Sequence, residues 1–82
     1  MRLLLYSTEP CSLCERALDL LFSMPELRAL TLDVVDVADD GALVERYGPR
    51  VPVLIVGSTE LGWPFDRAAV LHALAAARSA RV

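Results

Sequence analysis

Apolar residues open the chain as a short block, Leu3-Leu4-Leu5-Tyr6, closed by Ser7 and followed by Thr8-Glu9-Pro10. A brief apolar run bounded by turn formers predicts a buried strand over 2–7 and then a loop. From Cys11 the period changes. Leu13, Ala17, Leu18, Leu21 and Phe22 recur at three- and four-residue spacing, which describes one face of a helix. Pro25 cannot continue that helix, so it is expected to end near Met24. Thr31 to Val37 is rich in β-branched residues and predicts a second strand.

Asp39 or Asp40 is placed to cap a short helix running through Tyr47. Gly48 suits a left-handed position after it, with Pro49 as a stop. Pro52 to Val56 predicts a third strand. Gly57-Ser58 is a tight turn into a fourth, Thr59 to Leu61. Gly62, Trp63 and Pro64 break that strand, and Asp66 caps a last helix with Val70, Leu71, Leu74 and Ala77 on its inner face.

The order β-α-β-α-β-β-α makes this an α/β chain. The first βαβ unit requires parallel strands with a right-handed crossover, and the last two strands form a hairpin. The expected architecture is a four-stranded mixed sheet with helices on both faces, one domain over 1–82. The length leaves no room for a second core.

Composition narrows the partners. The chain is 55% hydrophobic, which argues for a packed domain, and its net charge is -3. Every basic residue is Arg, at 2, 16, 28, 46, 50, 67, 78 and 81, with no basic stripe. Nucleic acid is therefore not an expected partner. The opening apolar block is too short for a signal-peptide core or a membrane span, so no membrane association and a cytoplasmic location are expected. A composition rich in Ala, Leu and Arg without Lys fits a GC-rich bacterial genome.

The cysteines, Cys11 and Cys14, are three residues apart. Joining them closes almost no loop, so a purely structural disulfide would constrain the unfolded chain little. A thiolate is the nucleophile in disulfide exchange, and unpaired N–H groups at a helix start favour negative charge. Cys11 stands at the predicted loop-to-helix boundary. Cys14 is one turn further in, beside Ala17 and Leu18, and is expected to be shielded. The pair reads as a dithiol redox motif at the mouth of a βαβ unit. Two other readings stay open: inert buried cysteines, and a metal held between two chains. A closed zinc site within one chain lacks ligands, because His72 is on a distant helix.

Other side chains have plainer readings. Tyr6 ends the first strand and either borders the site or serves the core. Trp63 lines a groove or covers the core at its turn. His72 has no partner spaced for catalysis and reads as a satisfied structural histidine. Asp33, Asp36, Asp39 and Asp40 are spread over a strand end and a helix start, where caps are expected rather than a metal site.

The segment Leu-Tyr-Ser-Thr-Glu-Pro-Cys-Ser-Leu-Cys at 5–14 resembles the active-site segment of glutaredoxins. Val51-Pro52 resembles the segment before the cis-proline of the thioredoxin superfamily. Gly62-Trp63-Pro64-Phe65-Asp66 sits where glutaredoxins carry a Gly-rich turn and acidic residues. The whole chain is most similar to glutaredoxin-like bacterial proteins of uncharacterised function.

The resemblance implies a thioredoxin-like fold, Cys11 as nucleophile and Cys14 as resolving thiol. It implies a cis bond at Pro52 facing the sulfurs, with the Val51 backbone aimed at a bound peptide or glutathione. Arg50, Asp66 and Tyr6 complete the implied substrate-binding set. The sequence also departs from the family pattern. Thr8 stands where a Lys is usual, Ser12-Leu13 replaces Pro-Tyr, Arg50 replaces a Thr, and Trp63-Pro64 follows a single Gly62, leaving Asp66 as the one acid. Arg50 either pairs a carboxylate, supports the Cys11 thiolate, or is a solvated loop residue. Glu9 and Glu15 flank the pair and oppose a thiolate there.

The expected function is thiol–disulfide exchange on a disulfide-bearing protein or a low-molecular-weight thiol, by a monomer. No tightly bound cofactor is expected, with glutathione as reductant or ligand. The alternative is a redox-sensing or protein-interaction module of the same fold without glutathione turnover. A third reading is a metal or iron–sulfur carrier using Cys11 across a dimer.

Overall fold

The computed structural model describes residues 2–79. Its strands and helices are β1 (Arg2–Ser7), α1 (Ser12–Phe22), β2 (Thr31–Asp36), α2 (Gly41–Tyr47), β3 (Val53–Val56), β4 (Thr59–Gly62) and α3 (Arg67–Ser79). The sheet order is β2-β1-β3-β4. β1 and β2 are parallel, whereas β1–β3 and β3–β4 are antiparallel. The expected order of elements and the mixed sheet are both present.

Strand alternation sends side chains to two separate cores. Leu3 and Leu5 of β1 and Leu54 and Val56 of β3 meet Ala17 and Leu21 of α1 and Val70, Ala73 and Leu74 of α3. Leu5 and Leu54 are opposite one another across the ladder and are wholly buried. Burying such a side chain is worth about 1.5–3 kcal/mol. On the other face, Tyr6, Val53 and Ile55 pack with Val37, Leu43, Tyr47 and Val51. α1 and α3 therefore cover one face, and α2 covers the other.

Several local expectations are corrected. The buried seam of α1 is Cys14, Ala17 and Leu21. Leu13 and Phe22 point outward, Phe22 with 74% of its surface exposed, because the helix presents only a narrow stripe to the sheet. α1 also ends at Phe22 with Ser23 as its cap, before buried Met24 and a 3-10 turn at Pro25–Leu27. Gly48 is right-handed (φ -45) and opens a further 3-10 turn, Gly48–Arg50, so Pro49 continues the coil rather than stopping it. β3 begins one residue after Pro52, which has no N–H for the ladder. β4 runs on to Gly62. In α3 the inner face includes Ala73, with Leu71 and Ala77 half-buried. His72 is on the solvent face of α3, not in a structural niche.

Caps define the boundaries. Asp40 Oδ1 accepts from Ala42 N–H at 2.9 Å and starts α2. Asp66 Oδ1 accepts from Ala69 N–H at 2.8 Å and starts α3. Asp36 caps the 3-10 turn Val37–Asp39 in the same way. A Glu26–Arg67 ion pair ties the turn after α1 to the first residue of α3. Its guanidinium holds the Glu26 carboxyl below its ordinary range. The peptide bonds before Pro10, Pro52 and Pro64 are cis. No helix among the described residues is long and apolar enough to cross a membrane.

The β3–β4 turn depends on Gly57, the residue whose φ is +61. Only the first of its two residues is left-handed, which is the type II′ signature. A Cβ there would also lie 3.0 Å from the Ala77 Cβ of α3. Gly57→Ala should therefore destabilise the fold by about 1–2 kcal/mol, seen as a Tm loss of roughly 4 °C or more in a thermal melt. An unchanged Tm would mean that the turn does not need its left-handed residue.

The Glu26 pair makes a second prediction. A carboxyl with a depressed folded-state pKa adds stability above its unfolded value, and that stability disappears as pH falls through the folded value. Wild type should melt above Glu26→Gln at pH 7. The gap should close as the pH drops below the ordinary Glu value of about 4.3, and it should shrink in high salt because the pair is largely exposed.

Candidate functional site

β1 delivers the chain to the site. Its alternation places Leu3, Leu5 and Ser7 on the same face, so the strand ends with a buried hydroxyl under the loop at 8–10. Cys11 then adopts extended backbone (φ -154, ψ 104) and serves as the N-cap of α1. The cap acceptor is its sulfur: the Cys14 N–H donates to Cys11 Sγ at 3.2 Å. Ser, Thr, Asp and Asn normally do this with oxygen. A sulfur in that place receives one of the helix's unpaired donors and faces the positive end of its dipole.

Cys14 is the opposite case. It is 2% exposed, one turn into the helix, against the core. Burial pushes its thiol pKa up, and the hydrogen bond to the Cys11 sulfur raises it further. Hydrogen bonds from the Ser7 side chain and the Thr8 main chain act the other way, with less effect. Cys11 is half-exposed, and both thiols are free. The site thus holds a reachable sulfur that accepts hydrogen bonds and a shielded one that keeps its proton. They line an open depression of about 560 Å³ with Ser7, Thr8, Glu9 and Glu15.

The remaining predicted residues, Tyr6, Arg50, Val51, Pro52 and Asp66, do not line this depression. Pro52 is fully buried, and its carbonyl accepts from Trp63 N–H at 3.3 Å, which extends the β3–β4 pairing by one step. Val51 packs into the second core beside Val37, Tyr47 and Val53. Tyr6 stacks on Tyr47 with ring centroids 4.3 Å apart. Trp63 packs edge-on against Phe65, and both cover the main core. Asp66 lines a different depression, with Leu61, Pro64 and Phe65.

Arg50 pairs a carboxylate, and that carboxylate belongs to Glu60 (3.7 Å). Its guanidinium also donates to the Arg46 carbonyl and lies 5.3 Å from the Tyr47 ring centre. Arg46 flanks the same ring and the same Glu60. Tyr47 O–H donates to Glu60 Oε1 at 3.0 Å, and burial followed by this bond raises the phenol's pKa. The Arg46–Tyr47–Arg50–Glu60 cluster escapes sequence reading because Glu60 joins it only through the β3–β4 register and the packing of α2 on the sheet. Ser7 was legible as the third member of the alternation 3, 5, 7. Among the described residues no three His, Cys, Asp or Glu side chains converge as metal ligands would.

A mixed sheet ordered 2-1-3-4, helices on both faces, and two cysteines at the start of the first helix define a thioredoxin-like fold with a close thiol pair. The chain belongs to the glutaredoxin-like family: the model of the Glutaredoxin-like domain (DUF836) matches residues 2–75. It is also similar to a solved structure, the Northeast Structural Genomics target protein XcR50 from X. campestris. That protein is 40% identical, with a TM-score of 0.75, and the match covers 90% of this chain and 96% of the other. No curated protein matches significantly.

The two sulfurs should differ in alkylation. At neutral pH iodoacetamide should modify Cys11 first, because Cys14 is buried and its pKa is raised. In Cys11→Ser, labelling of Cys14 under native conditions should be slow and should require alkaline pH, read by mass spectrometry. Equal rates in the wild type would contradict this assignment of exposed and shielded thiols.

Proposed function

We propose that this chain is a thiol–disulfide oxidoreductase with Cys11 as nucleophile and Cys14 as resolving thiol. The observation that carries the reading is the Cys11 sulfur acting as the N-cap acceptor of α1, 3.2 Å from the Cys14 N–H, with the second sulfur buried behind it.

The chemistry balances within the pair. The Cys11 thiolate attacks one sulfur of a substrate disulfide. The substrate S–S bond breaks, and the leaving thiolate takes up a proton. The resulting mixed disulfide is then attacked at Cys11 by Cys14, which gives up its proton on the way. The Cys11–Cys14 disulfide forms, the second substrate thiol leaves, and the protein has been oxidised by two electrons. Restoring the dithiol requires a thiol reductant supplied from outside the chain. The raised pKa of Cys14, caused first by burial and then by the bond to Cys11, suits a resolving group that stays protonated until Cys11 is tied up in the mixed disulfide.

Val51 supports a peptide-like substrate. It follows the turn Gly48–Arg50 in extended backbone (φ -61, ψ 145) and lies outside β3, so its main chain is not committed to the ladder. In this reading it pairs with a bound chain.

The test is a pair of single-cysteine variants. Cys14→Ser should accumulate a stable mixed disulfide with hydroxyethyl disulfide, visible as a mass increase. Cys11→Ser should lose the exchange activity. A Cys14→Ser protein that forms no adduct, while wild type also fails to oxidise, would overturn the reading.

A further inference from the structure

The depression around the sulfurs carries charge of one sign. Glu9 and Glu15 line it with Cys11 and Cys14, and no basic residue among the described residues does. Arg16 follows Glu15 in α1 but does not line it. Four of the arginines are occupied elsewhere: Arg46 and Arg50 with Glu60, Arg67 with Glu26, and Arg2 with Asp33. The register Ser7↔Asp36 brings a further acid to the same end of the sheet, followed by Asp39 and Asp40. A cleft lined by one sign focuses the field on an approaching solute.

Resting on the thiol–disulfide reading above, we propose that the site selects disulfides flanked by cationic groups, with Glu9 and Glu15 as the specificity-determining residues. A disulfide carrying ammonium or guanidinium groups is drawn to the depression. One carrying carboxylates, such as glutathione disulfide, is repelled as it brings its sulfur to Cys11. Cys11 at the helix start is the attacking sulfur, and the two carboxylates that line the depression with it sort what reaches it. The shared chemistry is the cationic flank, whether it belongs to a basic protein segment or to a small aminothiol.

The experiment is single-turnover oxidation of the pre-reduced protein at pH 7 and low salt. The probes are cystamine (cationic), hydroxyethyl disulfide (neutral) and glutathione disulfide (anionic). Formation of the Cys11–Cys14 disulfide is followed by mass. Each rate is divided by the rate of dithiothreitol with the same probe, which removes differences in intrinsic reactivity. The normalised cystamine rate should exceed the glutathione disulfide rate by about tenfold or more, and the ratio should fall towards one in 1 M salt, where screening shortens to about 3 Å. Glu9→Gln and Glu15→Gln should each lower the low-salt ratio. Glu45→Gln removes an exposed acid of α2 outside the depression and should leave it unchanged.

A normalised ratio near one at low salt overturns the proposal, as does a ratio that Glu45→Gln lowers as much as the other two variants. Oxidation by the neutral probe keeps that failure distinct from failure of the oxidoreductase reading, which would leave all three probes unreacted. If the ratio holds, a peptide disulfide with flanking Arg that outpaces cystamine assigns the natural source to a protein segment. The reverse order assigns it to a small aminothiol.

Discussion

Strand β1 is hydrogen-bonded along both edges and covered on both faces. β2 pairs with one edge and β3 with the other. Leu3 and Leu5 lie under α1 and α3, while Tyr6 faces α2. A strand held this way cannot slip by one residue without turning its whole apolar set to the wrong face. Its C-terminal end is therefore fixed by pairing on both edges, and the loop that leaves it leads to the first cysteine.

The two cysteines use that rigidity in different ways. Cys14 belongs to the buried seam of α1 with Ala17 and Leu21, so its sulfur is positioned by core packing. Cys11 precedes the helix and is positioned by the cap bond to Cys14 N–H. One sulfur is thus immobilised and shielded, and the other is anchored only through its acceptor role. The proposed thiol exchange would use this asymmetry, because an attacking sulfur must be reachable and a resolving one must wait.

The second face contributes a polar cluster that is absent from the cysteine depression. Glu60 is opposite Ile55 in the β3–β4 register, and Ile55 packs into the α2-side core. That register brings the Glu60 carboxylate to Tyr47, Arg46 and Arg50. The arrangement braces α2 and the turn leading to Val51. It also keeps two arginines beside their own acid, which leaves the charge around Cys11 to Glu9 and Glu15.

Local chemistry was enough to determine much of this protein from its sequence. The alternation of β1, the β-branched run of β2, the Gly57-Ser58 turn and the caps Asp40 and Asp66 each act within a few residues, so pattern and spacing reveal them. The cysteine pair was legible for the same reason, since its placement needs only a strand, a loop and a helix start. Tertiary structure alone decided the rest. Which side of α1 is buried depended on how narrow a stripe the sheet could cover, so Leu13 and Phe22 face solvent. Gly48 became right-handed because the chain coiled on into Gly48–Arg50 before reaching β3. Arg50 could pair with any carboxylate as far as its own neighbours show, and strand order made Glu60 the partner. Such choices rest on how separate elements meet, which is set only when the sheet and its helices are assembled.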